Sequence, residues 1–197
     1  MDITSYLLGK NSAGGGGGGG SDLDWTAIGY DSTPQSIINE YNYAKEIYDN
    51  WVSTTDLSSK FRNDTEITIM PLVDTSEATT MYQMFEYCSN LVSVPILDTK
   101  NVTNMRAMFD GCTNLKYVPI LDTSNLANNG INQMFSSCNK LTDDALNNIL
   151  QMCINATKLT TKTLATVGFY SSKYPATRIQ ALSNYQAFID AGWTIGY

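Results

Sequence analysis

Residues 105–115 read MRAMFDGCTNL, and the chain contains three versions of this motif. The other two read MYQMFEYCSNL at residues 81–91 and INQMFSSCNKL at residues 131–141. Each version places apolar side chains at positions i, i+3, i+4 and i+7, which predicts a helix with one apolar face. Because so small a unit cannot bury that face alone, the repetition predicts units that stack on one another.

The repeat extends beyond this stretch with a regular period. Pro71, Pro95 and Pro119 are each 24 residues apart, whereas the Met-Phe pairs at 84, 108 and 134 are 24 and then 26 residues apart. The third repeat therefore carries two extra residues, which fall in the Asn-rich loop 125–130. Residues 66–73 are predicted to be the first strand of the series. A 24-residue period lies in the range of leucine-rich repeats.

A family resemblance rests on residues 88–109, CSNLVSVPILDTKNVTNMRAMF. This pattern resembles the BspA-like class of leucine-rich repeats, which are found in bacterial surface proteins and in proteins of phages and gut microbes. The resemblance covers residues 63–141, although the first repeat departs with SEAT at 76–79 where the second has KNVT at 100–103. It implies a solenoid with an interaction role and implies no catalytic site.

These observations predict an α/β repeat fold, a short leucine-rich-repeat solenoid with a helical N-terminal cap and an α+β C-terminal cap. The N-terminal helix is expected to start at Pro34, and the first C-terminal helix is expected to be capped by Thr142. A last strand is predicted at 163–169, followed by helices at 175–182 and 185–191. The predicted segments are a docking segment (1–13), a Gly-rich linker (14–22), the N-terminal cap (23–62), three repeats (63–141) and the C-terminal cap (142–197).

Composition argues against several classes of function. The chain has 197 residues, a net charge of −7 and no histidine. An acidic chain without a basic cluster is a poor candidate for binding nucleic acid or an anionic membrane. The lack of histidine removes the commonest general base. No nucleophile–base pair, phosphate loop, signal peptide or membrane span is recognisable, so we expect a protein that is not an enzyme and needs no cofactor or metal.

Two repeated columns of residues could carry chemistry. Cys88, Cys112 and Cys138 share one repeat position, and with Cys153 they are expected to be buried free thiols, with disulfides or a metal site as the alternatives. Asp74, Asp98 and Asp122 form the second column. We expect these aspartates to make Asx-type turns, with a calcium ladder as the alternative.

Two groups of residues are candidates for binding a partner. Alternation along the predicted strands assigns Leu72, Ile96 and Ile120 to the core and a variable column to the surface. This candidate partner-binding face consists of Ile69, Ser93, Tyr117, Pro71, Pro95 and Pro119. The second group is a candidate assembly anchor ahead of the glycine run, formed by Ile3, Tyr6, Leu7 and Leu8.

The function expected from the sequence is structural and non-enzymatic. The whole chain is similar to small phage-encoded virion proteins that join a Tyr-Leu-Leu-Gly-Lys leader and a glycine run to such repeats. This resemblance implies a capsid- or tail-attached decoration, fibre or adhesion protein at the virion surface, present in several copies or as a homo-oligomer. Its partners would be proteins of the virion or of a host surface, with a glycan as the alternative. A bacterial cell-surface adhesin is the alternative, and a hydrolase would need a carboxylate pair in a cleft.

Overall fold

The computed structural model describes residues 34–170 and 172–196 of the chain. Helices within these residues lie near the two ends of the chain, and irregular coils fill the middle. We label the helices α1 (Pro34–Asp49), α2 (Asp143–Asn155), α3 (Leu164–Val167), α4 (Ala176–Gln180) and α5 (Tyr185–Asp190). The described residues contain no β-strand, and their parallel pairing consists of isolated bridges. We call residues 55–141 the coil stack and residues 142–196 the C-terminal cap.

The predicted α/β leucine-rich-repeat solenoid with an α+β cap is therefore wrong. Residues 66–73 form no strand because their burial does not alternate. In the second repeat the buried side chains are Leu91, Val94 and Leu97, which are three residues apart rather than two. Proline at position 95 also has no N–H with which to continue a ladder. A three-residue burial period does not fit the two-residue alternation of side chains in a sheet.

The predicted helices of the repeats are also absent, because their N–H groups alternate between two kinds of acceptor. Phe109 donates to the Met134 carbonyl in the next coil at 2.9 Å, whereas Met108 donates back to Met105 at 3.1 Å. Ala107 and Gly111 adopt left-handed φ values of 54° and 76°. An α-helix would instead bond every N–H to the carbonyl four residues earlier. The coils are thus held together by hydrogen bonds between neighbours.

The core of the stack is a column of aromatic rings, one from each coil. The centroid of Phe109 lies 5.5 Å from that of Phe85 and 5.5 Å from that of Phe135, with the Phe85 and Phe109 rings nearly parallel. Trp51 extends the column at one end and Phe169 at the other. Met108, Phe109 and Cys112 are fully buried, so the predicted burial of these repeat positions is confirmed.

The helices of the cap follow local sequence signals more closely. The Thr142 hydroxyl accepts a hydrogen bond from the Ala145 N–H at 3.2 Å and caps α2, as predicted. The predicted strand at 163–169 is wrong, because the Thr163 hydroxyl accepts from the Thr166 N–H and closes a single helical turn. The turn ends at Gly168, whose φ is 102°. The cap is therefore helical, with one isolated bridge between Thr163 and Thr194.

Candidate functional site

The variable column predicted as a partner-binding face is brought into register by the coil stack. Parallel bridges join Ile69 to Ser93 and Ser93 to Tyr117. Beside them, the Val92 N–H donates to the Thr68 carbonyl at 2.7 Å, which fixes the spacing between coils. All three side chains of the column are partly exposed. We call this column the ladder face.

The neighbouring positions were assigned incorrectly from the sequence. Leu72, Ile96 and Ile120 were expected in the core, yet Ile96 is 69% exposed and Ile120 is 44% exposed. The three-residue spacing explains the error, because Val94 and Leu97 already occupy the inward positions on either side of Ile96. The proline column lies deeper than expected, since Pro71 is buried and Pro95 and Pro119 are partly buried. Ile96 and Ile120 are thus exposed at equivalent repeat positions, three residues after Ser93 and Tyr117, and we call these two side chains the aliphatic ridge.

The aspartate column forms the predicted Asx-type turns. Oδ1 of Asp74, Asp98 and Asp122 accepts a hydrogen bond from the N–H two residues later, at 2.9, 3.2 and 2.9 Å. The backbone N–H and hydroxyl of Ser76 lower the pKa of Asp74, and the Lys100 ammonium lowers that of Asp98. Across residues 34–170 and 172–196, no group of three or more Asp, Glu, Cys or His residues is placed to hold a metal ion.

The cysteine column consists of buried free thiols, as predicted. Each sulfur donates to the carbonyl of the phenylalanine one coil earlier, with Sγ–O distances of 2.9 Å for Cys88, 3.0 Å for Cys112 and 3.1 Å for Cys138. Burial raises the pKa of Cys88 to about 12, and it raises the pKa values of Cys112, Cys138 and Cys153 as well. Thiols with raised pKa values are poor nucleophiles and poor metal ligands, so the column is structural.

Two acidic residues, Glu86 and Asp110, each come directly after a phenylalanine of the column and form a short acidic column. Glu86 is buried, accepts a hydrogen bond from the Gln83 amide at 2.7 Å and pairs with the Arg62 guanidinium. Burial and then the charge of Glu86 raise the pKa of Asp110 in the next coil. Glu86 therefore has two partners from its own chain, the Gln83 amide and the exposed Arg62 guanidinium.

A polar cleft lies where the third repeat meets the C-terminal cap, and the sequence did not predict it. It has a volume of about 360 Å³ and is open to solvent. Six of its seven lining residues have polar side chains, and the full lining comprises Arg106, Asn129, Asn132, Gln133, Thr161, Ala165 and Thr166. The one available signal was the two-residue insertion at 125–130, because that loop carries Asn129. Arg106 comes from the preceding coil, and only the stacking brings it to the cleft.

The predicted assembly anchor, Ile3, Tyr6, Leu7 and Leu8, lies outside the described residues. Among the described residues, no helix combines the length and apolar character needed to cross a membrane.

Together, these features define a repeat protein built from stacked coils, with buried phenylalanine and cysteine columns and a regular exposed face. The chain belongs to the family described as "Mycoplasma protein of unknown function, DUF285", whose model matches residues 55–166. That match begins at the first coil and ends within α3. Comparisons with curated proteins and with solved structures gave no match.

Proposed function

We propose that this chain is a non-enzymatic binding module of a phage virion, which presents the ladder face to a protein on a host or on a neighbouring virion component. The observation that carries the proposal is the register of Ile69, Ser93 and Tyr117 on consecutive coils. An aliphatic, a hydroxyl and a phenol side chain occupy equivalent sites on one frame. A frame of stacked coils can change the side chains it exposes, and so its specificity, without altering its fold.

The aliphatic ridge supports a protein partner for this face. Ile96 and Ile120 are apolar side chains that are exposed to solvent. Two residues later in each coil, a solvent-accessible position carries a polar residue instead, Asp98 or Asp122. Adjacent exposed apolar side chains with a phenol nearby match the composition of the centre of a protein–protein interface. We expect Tyr117, with its large amphipathic ring, to contribute most to the binding energy.

Attachment to the particle is assigned in this proposal to residues 1–13. The resemblance of the leader and glycine run to small phage-encoded virion proteins supports this assignment. Several copies on one particle would then bind a repetitive host surface with increased avidity. The module would serve as a decoration or fibre on the head or tail and would act without a cofactor.

Particle incorporation tests the attachment. Phage particles assembled with the full-length chain, or with a chain lacking residues 1–13, would be purified and their copy number measured by quantitative mass spectrometry. We expect the truncated chain to fold but to be missing from the particles. Equal incorporation of both chains would contradict the role of the leader.

A binding comparison tests the ladder face separately. Tyr117→Ser should weaken binding to host cells or to an isolated partner by more than tenfold, which corresponds to about 1.4 kcal/mol. Tyr170→Ser provides a matched control, because Tyr170 is an exposed tyrosine in the cap. Equal losses for the two variants, or no loss for Tyr117→Ser, would exclude this face.

A bacterial cell-surface adhesin is the second candidate, and the family description, which names Mycoplasma, favours it. Fractionation discriminates the two. A virion protein is recovered with purified particles after host lysis, whereas an adhesin is recovered with the cell envelope in the absence of any phage.

A further inference from the structure

The cleft between the third repeat and the C-terminal cap combines one positive charge with amide and hydroxyl groups. Arg106 is exposed and forms no ion pair with any part of the chain that the structure describes. Three residues with amide side chains and two threonines line the cleft together with it: Asn129, Asn132, Gln133, Thr161 and Thr166. The chain carries a net charge of −7, so an arginine that has no ion pair among residues 34–170 and 172–196 is a distinctive place for an anion to bind.

The walls of the cleft are fixed by hydrogen bonds between the elements that form it. The Gln133 N–H donates to the Thr166 carbonyl at 2.8 Å, and the Ala107 N–H donates to the Asn132 carbonyl at 2.9 Å. The Thr160 hydroxyl donates to the Asn128 side chain at 2.9 Å, which ties the insertion loop to the cap. The cleft is therefore formed before a ligand arrives, which reduces the entropy lost on binding.

The two-residue insertion and the local backbone shape the site. Asn129 and Gln133 adopt left-handed φ values of 70° and 57°. The Asn132 amide donates to Asn129 Oδ1 at 3.2 Å, so one amide orients the other. Amide side chains offer both donors and acceptors, and threonine hydroxyls do the same. Such a lining suits a ligand that carries several hydroxyl groups.

We propose that this cleft binds a sugar that bears a carboxylate. A guanidinium forms two parallel hydrogen bonds to a carboxylate, and one guanidinium balances one negative charge. The amide and threonine groups would hold the ring hydroxyls. The volume of about 360 Å³ lies within the range of about 300–1,000 Å³ that small-ligand sites occupy. The proposal does not depend on the virion assignment or on the ladder face, because it uses different residues.

The test is a titration of the full-length protein with sodium glucuronate, glucose and inorganic phosphate, followed by two-dimensional NMR of backbone and side-chain amides. We expect glucuronate to shift the amide resonances of Asn129, Asn132 and Gln133, and we expect its binding to weaken as salt is raised. Glucose should bind at least tenfold more weakly, because it lacks the charge. Equal affinity for glucose, tighter binding of phosphate, or shifts confined to other residues would overturn the proposal.

Variants then test whether Arg106 supplies the positive charge that binds glucuronate. Arg106→Gln should reduce glucuronate affinity at least tenfold and leave the weak binding of glucose unchanged. Lys173→Gln is the matched control, since it removes one positive charge from an exposed position outside the cleft lining. Thermal unfolding of both variants verifies that the fold is intact. If Arg106→Gln fails to fold, Asn132→Asp replaces it, because the added negative charge should also repel glucuronate. Glucuronate affinity equal to that of the parent in the folded variant would refute the assignment.

Discussion

The coil stack and the C-terminal cap share one hydrophobic core but are held together by different backbone bonds. In the stack, alternate N–H groups cross to the next coil, as that of Phe109 does to Met134. In the cap, α2 follows the usual helical pattern, with Thr142 and two aspartates at its start. The phenylalanine column passes from one region to the other at Phe135 and Phe169. Apolar residues at positions i, i+3, i+4 and i+7 can therefore be buried by two backbone conformations, the α2 helix in the cap and the coils in the stack.

The largest expected effect concerns the column that crosses both regions. Phe109→Ala should lower the free energy of unfolding by about 3–5 kcal/mol, because it leaves a cavity between two stacked rings. Phe188→Ala makes the same change inside the cap, where Phe188 is buried against Trp193. Chemical denaturation should show a single transition for each variant. Two separate transitions would mean that the stack and the cap are independent units.

Two glycines of the cap should differ in their tolerance of a methyl group. Gly168→Ala should cost about 2–4 kcal/mol, because a Cβ would lie 2.6 Å from the Ser136 backbone nitrogen and the φ of 102° disfavours any side chain. Gly192→Ala should cost only about 1–2 kcal/mol. Its φ of 84° disfavours a side chain, but no neighbouring atom would lie within 4 Å of the added Cβ. The measurement is thermal unfolding of both variants. Similar losses would show that Gly168 does not set the junction between the two regions.

The buried thiols should make the protein less stable in alkali. Because burial raises the pKa of Cys112 well above its ordinary value of 9.0, this thiol stays protonated in the folded chain while it ionises in the unfolded chain. Its contribution is complete well below pH 9 and is lost as pH rises through and above 9, with a slope that approaches about 1.4 kcal/mol per pH unit once the unfolded thiol is fully ionised.

Cys112→Ala in the stack and Cys153→Ala in the cap should each reduce this pH dependence by a similar amount. Denaturation between pH 8 and pH 10 measures it. An unchanged slope in either variant would indicate that its thiol is accessible in the folded protein.

The smallest effect has opposite signs in the two regions. Ser137 is exposed with a φ of 60°, and Gly111 occupies its equivalent position one coil earlier. Ser137→Gly should therefore stabilise the protein by about 0.5–1 kcal/mol, because glycine relieves the left-handed strain. Ala187→Gly, at an exposed position in α5, should destabilise it by about 1 kcal/mol. If Ser137→Gly destabilised the protein as Ala187→Gly does, residues 131–138 would be an ordinary helix.

Burial could be predicted from the sequence more reliably than backbone conformation. Met108, Phe109 and Cys112 were placed in the core because their spacing describes one face, and that face exists whether the backbone is helical or coiled. The left-handed residues were not predictable, since glycine marks the position only at Gly111, while Tyr87 and Ser137 occupy it in the neighbouring repeats.

The exposed ridge and the cleft were missed for different reasons. Strand alternation placed Ile96 inside, although the spacing of Leu91, Val94 and Leu97 already indicated a three-residue period. The cleft depends on Arg106 and Thr166 lining one space from two different elements, and no local sequence pattern encodes that placement. Capping residues such as Thr142 were predictable, because the hydrogen bond they make is local.

The most direct test of the stacked-coil account is detection of scalar couplings across backbone hydrogen bonds by NMR. The account predicts a coupling between the Phe109 amide nitrogen and the Met134 carbonyl carbon, which lie in neighbouring coils. It predicts the same relation between Phe85 and Met108. A coupling from Phe109 to the carbonyl of Met105, four residues earlier, would show an α-helix at this position and would contradict the account.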